Sequence, residues 1–379
     1  MIDSHPPRCL GKTMIHPPHQ WPDSEIFEDL FVLELANNHQ GSLERGLRIV
    51  TSFSRIVRFN NVKAAIKLQL RDVDAFIHKD FRARSDIRYI KRTLDTRLSK
   101  TEYATLANAI RRAGCIPMAT PFDEVSVELC VELGIDLIKI ASSDINDWLL
   151  IEKIAATNKP VIVSTGGSSL KDVDDLVKFF NRRQIPLAIN HCVSLYPSAD
   201  HELELNQIDF LRRRYPLNTI GFSTHEHGDW QTSIAIAYAK GARTFERHID
   251  LADSEELSPY CSLPQQIDQW FKAYKRVVAM CGAPGTQKRL PPAREIAYLD
   301  TLVRGVYARR ALAQGHALSD EDVYLAIPLQ KGQLSCRELM RGELLLRAAA
   351  ADEPIMIDMI DSPYAENEQL KALIYQRGL

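Results

Sequence analysis

Eight apolar runs of strand length alternate with amphipathic runs of helical length, and few folds accommodate that rhythm. The strand-like runs fall at 31–36, 64–70, 116–120, 137–141, 161–165, 187–192, 219–223 and 243–249. Between them the apolar period lengthens from two residues to between three and four, the change from strand to helix. In segment 124–133, Val125, Leu129, Cys130 and Leu133 predict one helical face, with Asp123 as N-cap and Gly134 as stop. Strand and helix repeated eight times predict an α/β chain, either a (β/α)8 TIM barrel or a doubly wound sheet. Periodicity alone does not separate the two.

The placement of polar residues favours the barrel. Nearly every run finishes in reactive side chains: Glu34 with Asn38 and His39, Lys67 with Gln69, Thr120, Lys139 with Ser142, Ser164 with Thr165, His191 with Ser194, Ser223 with His225, and Glu246 with His248. At the carboxyl ends of barrel strands such groups point into one site formed by the loops. Strand ends also become polar simply because the chain leaves the core, and that accounts well for the serines and threonines. It accounts poorly for lysines inside Ala-Ala-Ile-Lys67-Leu and Leu-Ile-Lys139-Ile-Ala, since a buried ammonium needs an anionic partner. Two inward lysines among hydroxyls predict a ligand bearing phosphate or carboxylate.

His225 and His248 close two successive runs, each two residues beyond a polar partner, Ser223 and Glu246, so each pair shares a strand face. A lone histidine in such a run is more often a core residue; two on neighbouring strands are placed to share a divalent metal ion. Imidazole ligands favour Mn, Co, Fe or Zn over Mg in intrinsic affinity, with manganese the expectation and Mg or Co as alternatives. His227 lies on the adjoining loop and is expected to face solvent or a lid.

Composition removes several classes of function. With 45% hydrophobic and 25% charged residues and a net charge of −2, the chain has no basic excess for nucleic acid and no long apolar run for a membrane. The seven cysteines are odd in number and scattered, which predicts reduced thiols in a cytoplasmic protein. Residues 1–25, rich in proline and histidine and without an apolar segment, read as a loose arm.

The runs Glu34-Leu-Ala-Asn-Asn-His-Gln-Gly41, Lys67-Leu-Gln69, Ala119-Thr-Pro-Phe-Asp123, Lys139-Ile-Ala-Ser142, Val163-Ser-Thr-Gly166, His191-Cys-Val-Ser-Leu-Tyr-Pro197 and Glu246-Arg-His248 stand in this order. Together they resemble the sialic acid (N-acetylneuraminate) synthase family. The resemblance implies a barrel over 26–290 that condenses phosphoenolpyruvate with an open-chain sugar aldehyde, giving a 3-deoxy-2-ulosonic acid and phosphate with a divalent metal. It implies Glu34 as acid/base candidate, Glu246 beside the metal pair of His225 and His248, and a substrate site of Asn38, Lys67, Gln69, Thr120, Lys139, Ser142, Ser164, Ser194, Tyr196 and Ser223. The acceptor partner is then an aldose or amino sugar.

Beyond the barrel, 291–300 reads as a linker and 301–360 as short apolar pieces separated by Gly and Asp, suited to a small, mostly β module, with a tail over 361–379. The module resembles the antifreeze-like (SAF, β-clip) domain of the same family, which implies a domain-swapped homodimer; a module that merely stabilises the chain is the alternative. The insertion 71–101 has the mixed charges of a lid or an interface.

Two other functions fit many of the same residues: a metal-dependent pyruvate aldolase, and a non-catalytic sugar-binding homologue. Release of phosphate from phosphoenolpyruvate separates all three. Departures from the family pattern fall at the acceptor end. Thr224 stands where the family has an acid beside the first metal histidine, and 257–264 has no acid, with Ser258 nearest the family's sugar-binding Asp. Ala326-Ile327-Pro328 replaces an Arg-Pro pair, with Arg337 or Arg341 as substitutes for the guanidinium. The acceptor is therefore expected to differ from N-acetylmannosamine.

Overall fold

Alternate residues of the eight runs sort into an inner and an outer set, and that sorting closes the sheet. In the computed structural model, which describes residues 25–253, 257–283 and 285–379, β1 (Leu30–Ala36), β2 (Ala64–Leu70), β3 (Ile116–Pro121), β4 (Leu137–Ile140), β5 (Val161–Ser164), β6 (Leu187–Cys192), β7 (Thr219–Thr224) and β8 (Thr244–His248) form a closed parallel barrel in sequence order. This decides the alternative that periodicity left open. The expected arm over 1–25 lies, but for its last residue, outside the described residues.

Leu30, Val32, Ala65, Ile116, Met118, Leu137, Ile162 and Ala188 make one buried cluster inside the barrel, and the two-residue period then delivers Glu34, Lys67, Thr120, Lys139 and Ser164 as the next inward positions toward the carboxyl ends, with Cys192 of β6 one step beyond the buried Asn190. The outward set, including Phe31, Leu33, Ile66, Ile138, Val163 and Phe245, packs against the surrounding helices in a larger cluster. A Cβ on Gly221 would lie 1.8 Å from Thr244 Oγ1 and 2.2 Å from Asn190 Oδ1, so only glycine lets β7 pass that layer.

The helices are α1 (Leu43–Asn60), α2 (Val73–Phe76), α3 (Arg88–Asp95), α4 (Lys100–Arg112), α5 (Glu124–Glu132), α6 (Trp148–Ala155), α7 (Leu170–Arg182), α8 (Asn206–Arg214), α9 (Thr232–Ala239) and α10 (Pro264–Cys281). Local signals start several: Ser99 of α4 and Ser169 of α7 close capping boxes with Glu102 and Asp172. The expected face of α5 holds at Cys130, which is buried, and at Leu129 and Leu133, which pack against the core, and Asp123 does cap the helix; the correction is at Val125, which is exposed while Ser126 and Val127 turn inward.

Contacts divide the chain into two units, Met1–Gly282 and Ala283–Leu379. The segment read as a linker carries helix α11 (Ala293–Asp300). In the second unit β9 (Gly305–Ala308) pairs antiparallel with β10 (Val323–Ala326), and β11 (Leu344–Leu345) with β12 (Ile360–Asp361). Its core joins Val306, Leu318, Leu334, Ile355 and Ile357. The stretch read as a tail holds α12 (Pro363–Glu366) and α13 (Glu368–Tyr375), whose Ile374 is buried in that same core. The six described cysteines, Cys115, Cys130, Cys192, Cys261, Cys281 and Cys336, are free thiols.

Candidate active site

Four charged side chains from four strands form an alternating ionic chain at the floor of the mouth. Parallel registry sets Glu34 beside Lys67 on one side and beside His248 on the other. Lys67 Nζ reaches Glu34 Oε2 at 2.5 Å and Glu246 Oε1 at 2.6 Å, and Lys139 Nζ reaches Glu246 Oε2 at 2.6 Å. All four are buried. Glu34 also accepts the Ala36 amide on Oε1 at 2.7 Å.

The surroundings push these groups in different directions. Burial raises Glu34 above the usual carboxylate range, against the pull of Lys67. Burial acts the same way on Glu246, but the ammonium groups of Lys139 and Lys67 outweigh it and hold that carboxyl well below its ordinary value. Burial lowers Lys139, which has one carboxylate partner, whereas at Lys67 the opposing charges of Glu246 and Glu34 prevail and raise it.

Above this chain opens a cavity of about 950 Å³, ample for two small polar substrates. Its wall includes the lysines and glutamates just described, Gln69 and Thr120 from β2 and β3, Ser164 at the end of β5, Ser142 and Ser194 after β4 and β6, and Tyr196, Ser223, His225 and His248. Thr120 Oγ1 is buried without a partner, a hydroxyl left for something in the cavity. Ser142 Oγ accepts the Gly166 amide at 3.0 Å, and a Cβ on Gly166 would fall 2.1 Å from Ser194 Oγ, so glycine keeps this part of the mouth open.

Asn38 is the predicted substrate residue that the structure places elsewhere. Its amide donates to Ile249 O at 2.8 Å and lies 3.4 Å from Cys261 Sγ, tying the loop after β1 to the segments after β8; Asn37 lines the cavity instead. His191 Nε2 bonds Leu203 O at 2.7 Å, and His39 is fully buried; neither joins the cavity wall. The wall also contains Phe122 of the 119–123 run and Ser258, named at the acceptor end, and residues that motif reading missed: Arg71, Arg88, Tyr89, Arg92 and Thr93 from the insertion after β2, and Pro259 and Tyr260 after β8. The 71–101 insertion, expected as a lid or an interface, thus borders the site through α3.

The sequence profile of the NeuB family matches residues 60–284, and that of the SAF domain matches 303–361. The chain belongs to the NeuB family. A structure described as spore coat polysaccharide biosynthesis protein E from Chromobacterium violaceum superposes with a TM-score of 0.82 at 38% identity, covering 88% of this NeuB-family chain and 100% of that one. N-acetylneuraminate-9-phosphate synthase from Homo sapiens is 25% identical over 87% of this chain and 92% of its own. Pseudaminic acid synthase from Campylobacter jejuni is 27% identical over 79% and 87%.

The two strand-end histidines of this NeuB-family chain suit a metal by their chemistry. His225 and His248 face each other with ring centroids 5.3 Å apart. Burial lowers His225 to about 4 and, with the neighbouring His225 adding to it, puts His248 well below the usual imidazole range, so both are neutral near pH 7. His225 Nδ1 lies 2.9 Å from Val193 O; donating there fixes the tautomer and leaves Nε2 with a free lone pair. Among the described residues no cluster of three or more His, Cys, Asp and Glu side chains is arranged to hold a metal. An ion held at this pair would have two imidazole nitrogens from the chain, those of His225 and His248. Tyr196 packs on His225 at 3.9 Å between ring centroids and Tyr260 lies 5.2 Å from His248, restricting both imidazoles.

Proposed function

We propose that this protein condenses phosphoenolpyruvate with an open-chain sugar aldehyde to give a 3-deoxy-2-ulosonic acid and phosphate. The observation that carries the reading is the buried Glu34–Lys67–Glu246–Lys139 chain opening onto an arc of serine hydroxyls. Lys139, with a single carboxylate partner, and Lys67 supply positive charge to the phosphate and carboxylate of phosphoenolpyruvate. Ser142, Ser164, Ser194, Ser223 and Thr120 orient it by hydrogen bonds, and holding the enol beside the aldehyde makes a bimolecular step effectively unimolecular.

Two buried carboxylates driven apart in acidity take different tasks. Glu34, raised by burial, exchanges a proton with the water that adds at C2 or with an acceptor hydroxyl. Glu246 stays ionised and positions both ammonium groups. His225 and His248 would hold a divalent ion, manganese first among the candidates. Such an ion supplies Lewis acidity toward an aldehyde oxygen. Replacing His225 or His248 by Ala is expected to abolish bound metal, read by elemental analysis, along with turnover; unchanged metal content in both variants overturns this assignment.

The acceptor proposed is an aldose or amino sugar other than N-acetylmannosamine, supported by the acid-free stretch 257–264, whose Ser258 lines the cavity. Phosphate release from phosphoenolpyruvate with a panel of aldoses and a divalent metal is the test. Formation of pyruvate from an ulosonic acid without phosphate release would establish an aldolase, and sugar binding without chemistry a non-catalytic homologue. A cytoplasmic homodimer completes the proposal, read by light scattering; among the described residues no helix is long and apolar enough to cross a membrane.

A further inference from the structure

The insertion after β2 is rich in basic side chains, and they divide into two sets. Lys79, Arg82, Arg84, Lys91 and Arg97 each pair with a carboxylate, those of Asp80, Asp74, Asp86, Asp95 and Asp74 respectively. Arg71, Arg88 and Arg92 have no carboxylate partner among the described residues, and these three line the cavity. An ordinary solvated face does not explain why the unpaired cations are the cavity-facing ones.

Arg88 and Arg92 stand four residues apart on α3, a spacing at which like charges repel. Arg71 lies 3.7 Å over the Phe122 ring and donates to Gln69 Oε1 at 3.0 Å and Tyr89 Oη at 2.8 Å, while its buried Nε–H has no acceptor. These guanidinium groups occupy a different sector from the serine arc. The serines stand at or just after the ends of β4 to β7, whereas Arg71 follows β2 and Arg88 and Arg92 stand on α3 of the same insertion, lining the cavity together with Ser258 and Tyr260 from beyond β8. The cavity therefore has a second positive region, beside the stretch where no acid stands to bind neutral sugar hydroxyls.

We infer that the acceptor is an acidic sugar, an aldose or amino sugar carrying a phosphate or carboxylate, and that Arg88 and Arg92 together with Arg71 recognise the acidic group. A guanidinium fork matches either anion with two parallel hydrogen bonds. The inference rests on the condensation reading and names its substrate class.

The test uses the full chain with phosphoenolpyruvate and manganese. Mannose, mannose 6-phosphate and mannuronate are compared, along with N-acetylmannosamine with and without a 6-phosphate. The expected result is a kcat/KM for a phosphorylated or a uronate form roughly a hundredfold above its neutral parent, since a hydrogen bond to a charged group is worth roughly tenfold or more. The two acidic arms identify which anion is read. In the doubly substituted R88Q/R92Q variant the KM for the acidic sugar should rise at least about tenfold, with that for phosphoenolpyruvate moving less than about threefold. Preference for a neutral parent, or an equal rise in the phosphoenolpyruvate KM, overturns the inference. Calorimetric titration of the same sugars, with and without phosphoenolpyruvate, keeps the two readings apart. Acidic sugars bound through the arginines but not turned over uphold the subsite and sink the condensation; no difference between acidic and neutral forms in either assay sinks the subsite.

Discussion

Lys67 and Lys139 look equivalent in sequence, each a lysine inside an apolar strand, yet their neighbours make them different experiments. Lys139 contacts Glu246 alone, and Glu246 keeps Lys67 when Lys139 is removed. Lys139→Met is therefore expected to raise the KM for phosphoenolpyruvate at least about tenfold with a modest loss of stability, whereas Lys67→Met leaves the buried Glu34 without its ammonium partner, Glu246 keeping Lys139, and costs about 3–5 kcal/mol in urea denaturation. Equal stability losses in the two variants contradict this division. His39 offers a pH-dependent test away from the reaction. Burial lowers it from 6.5 to about 4, its Nδ1 accepts the Gly41 amide at 3.1 Å, and its Nε2 has no partner. A folded-state value below the unfolded one means the unfolded chain binds more protons between about pH 4 and 6.5, so stability is present above that window and lost as pH falls through it. The contribution is about 1.4 kcal/mol per pH unit for one such group. His39→Gln should flatten the measured stability–pH slope by about this amount, and an unchanged slope rules the assignment out.

Among the elements, the strands were legible because a barrel strand needs little beyond an apolar run of the right length, and the inward lysines marked the ends that open onto the cavity. Helix phase was less legible. In α5 the side chain of Asp123 accepts from the Ser126 amide at 2.7 Å and from its hydroxyl at 2.9 Å, pinning the first turn so that Ser126 and Val127, not Val125, face the barrel. Asn38 shows a similar limit: a polar residue at a strand end can serve the loop instead of the cavity, and only a tertiary partner, Ile249 O, distinguishes the two. Asn38→Ala is accordingly expected to cost about 1–3 kcal/mol of stability, since a buried carbonyl loses its donor, while leaving the phosphoenolpyruvate KM within about twofold. A large KM effect at unchanged stability would restore it to the substrate site. The arginines of α3 escaped sequence reading because a mixed-charge insertion has no period, and which cations find carboxylates is fixed only once the segment folds over the mouth.

At the scale of the whole molecule, every residue lining the large cavity lies between Glu34 and Tyr260, within the unit Met1–Gly282. The unit Ala283–Leu379 has a separate core, closed by Val306, Leu334 and Ile357 and by Ile374 of its last helix. Each unit buries its own apolar cluster, the condition for folding alone. A chain ending at Gly282 is therefore expected to unfold cooperatively and to bind phosphoenolpyruvate with a Kd within about threefold of the full-length value, measured by calorimetry, because the lysines and serines assigned to that ligand are all retained. A tenfold loss of affinity would show that the SAF region adds to the phosphoenolpyruvate site itself. The same fragment addresses the acceptor, for which 257–264 offers no acid and Ala326-Ile327-Pro328 no guanidinium. If turnover disappears while phosphoenolpyruvate binding persists, the SAF region acts on the acceptor or on assembly; if turnover survives with the same acidic-sugar preference, recognition resides in the barrel and its α3 insertion alone.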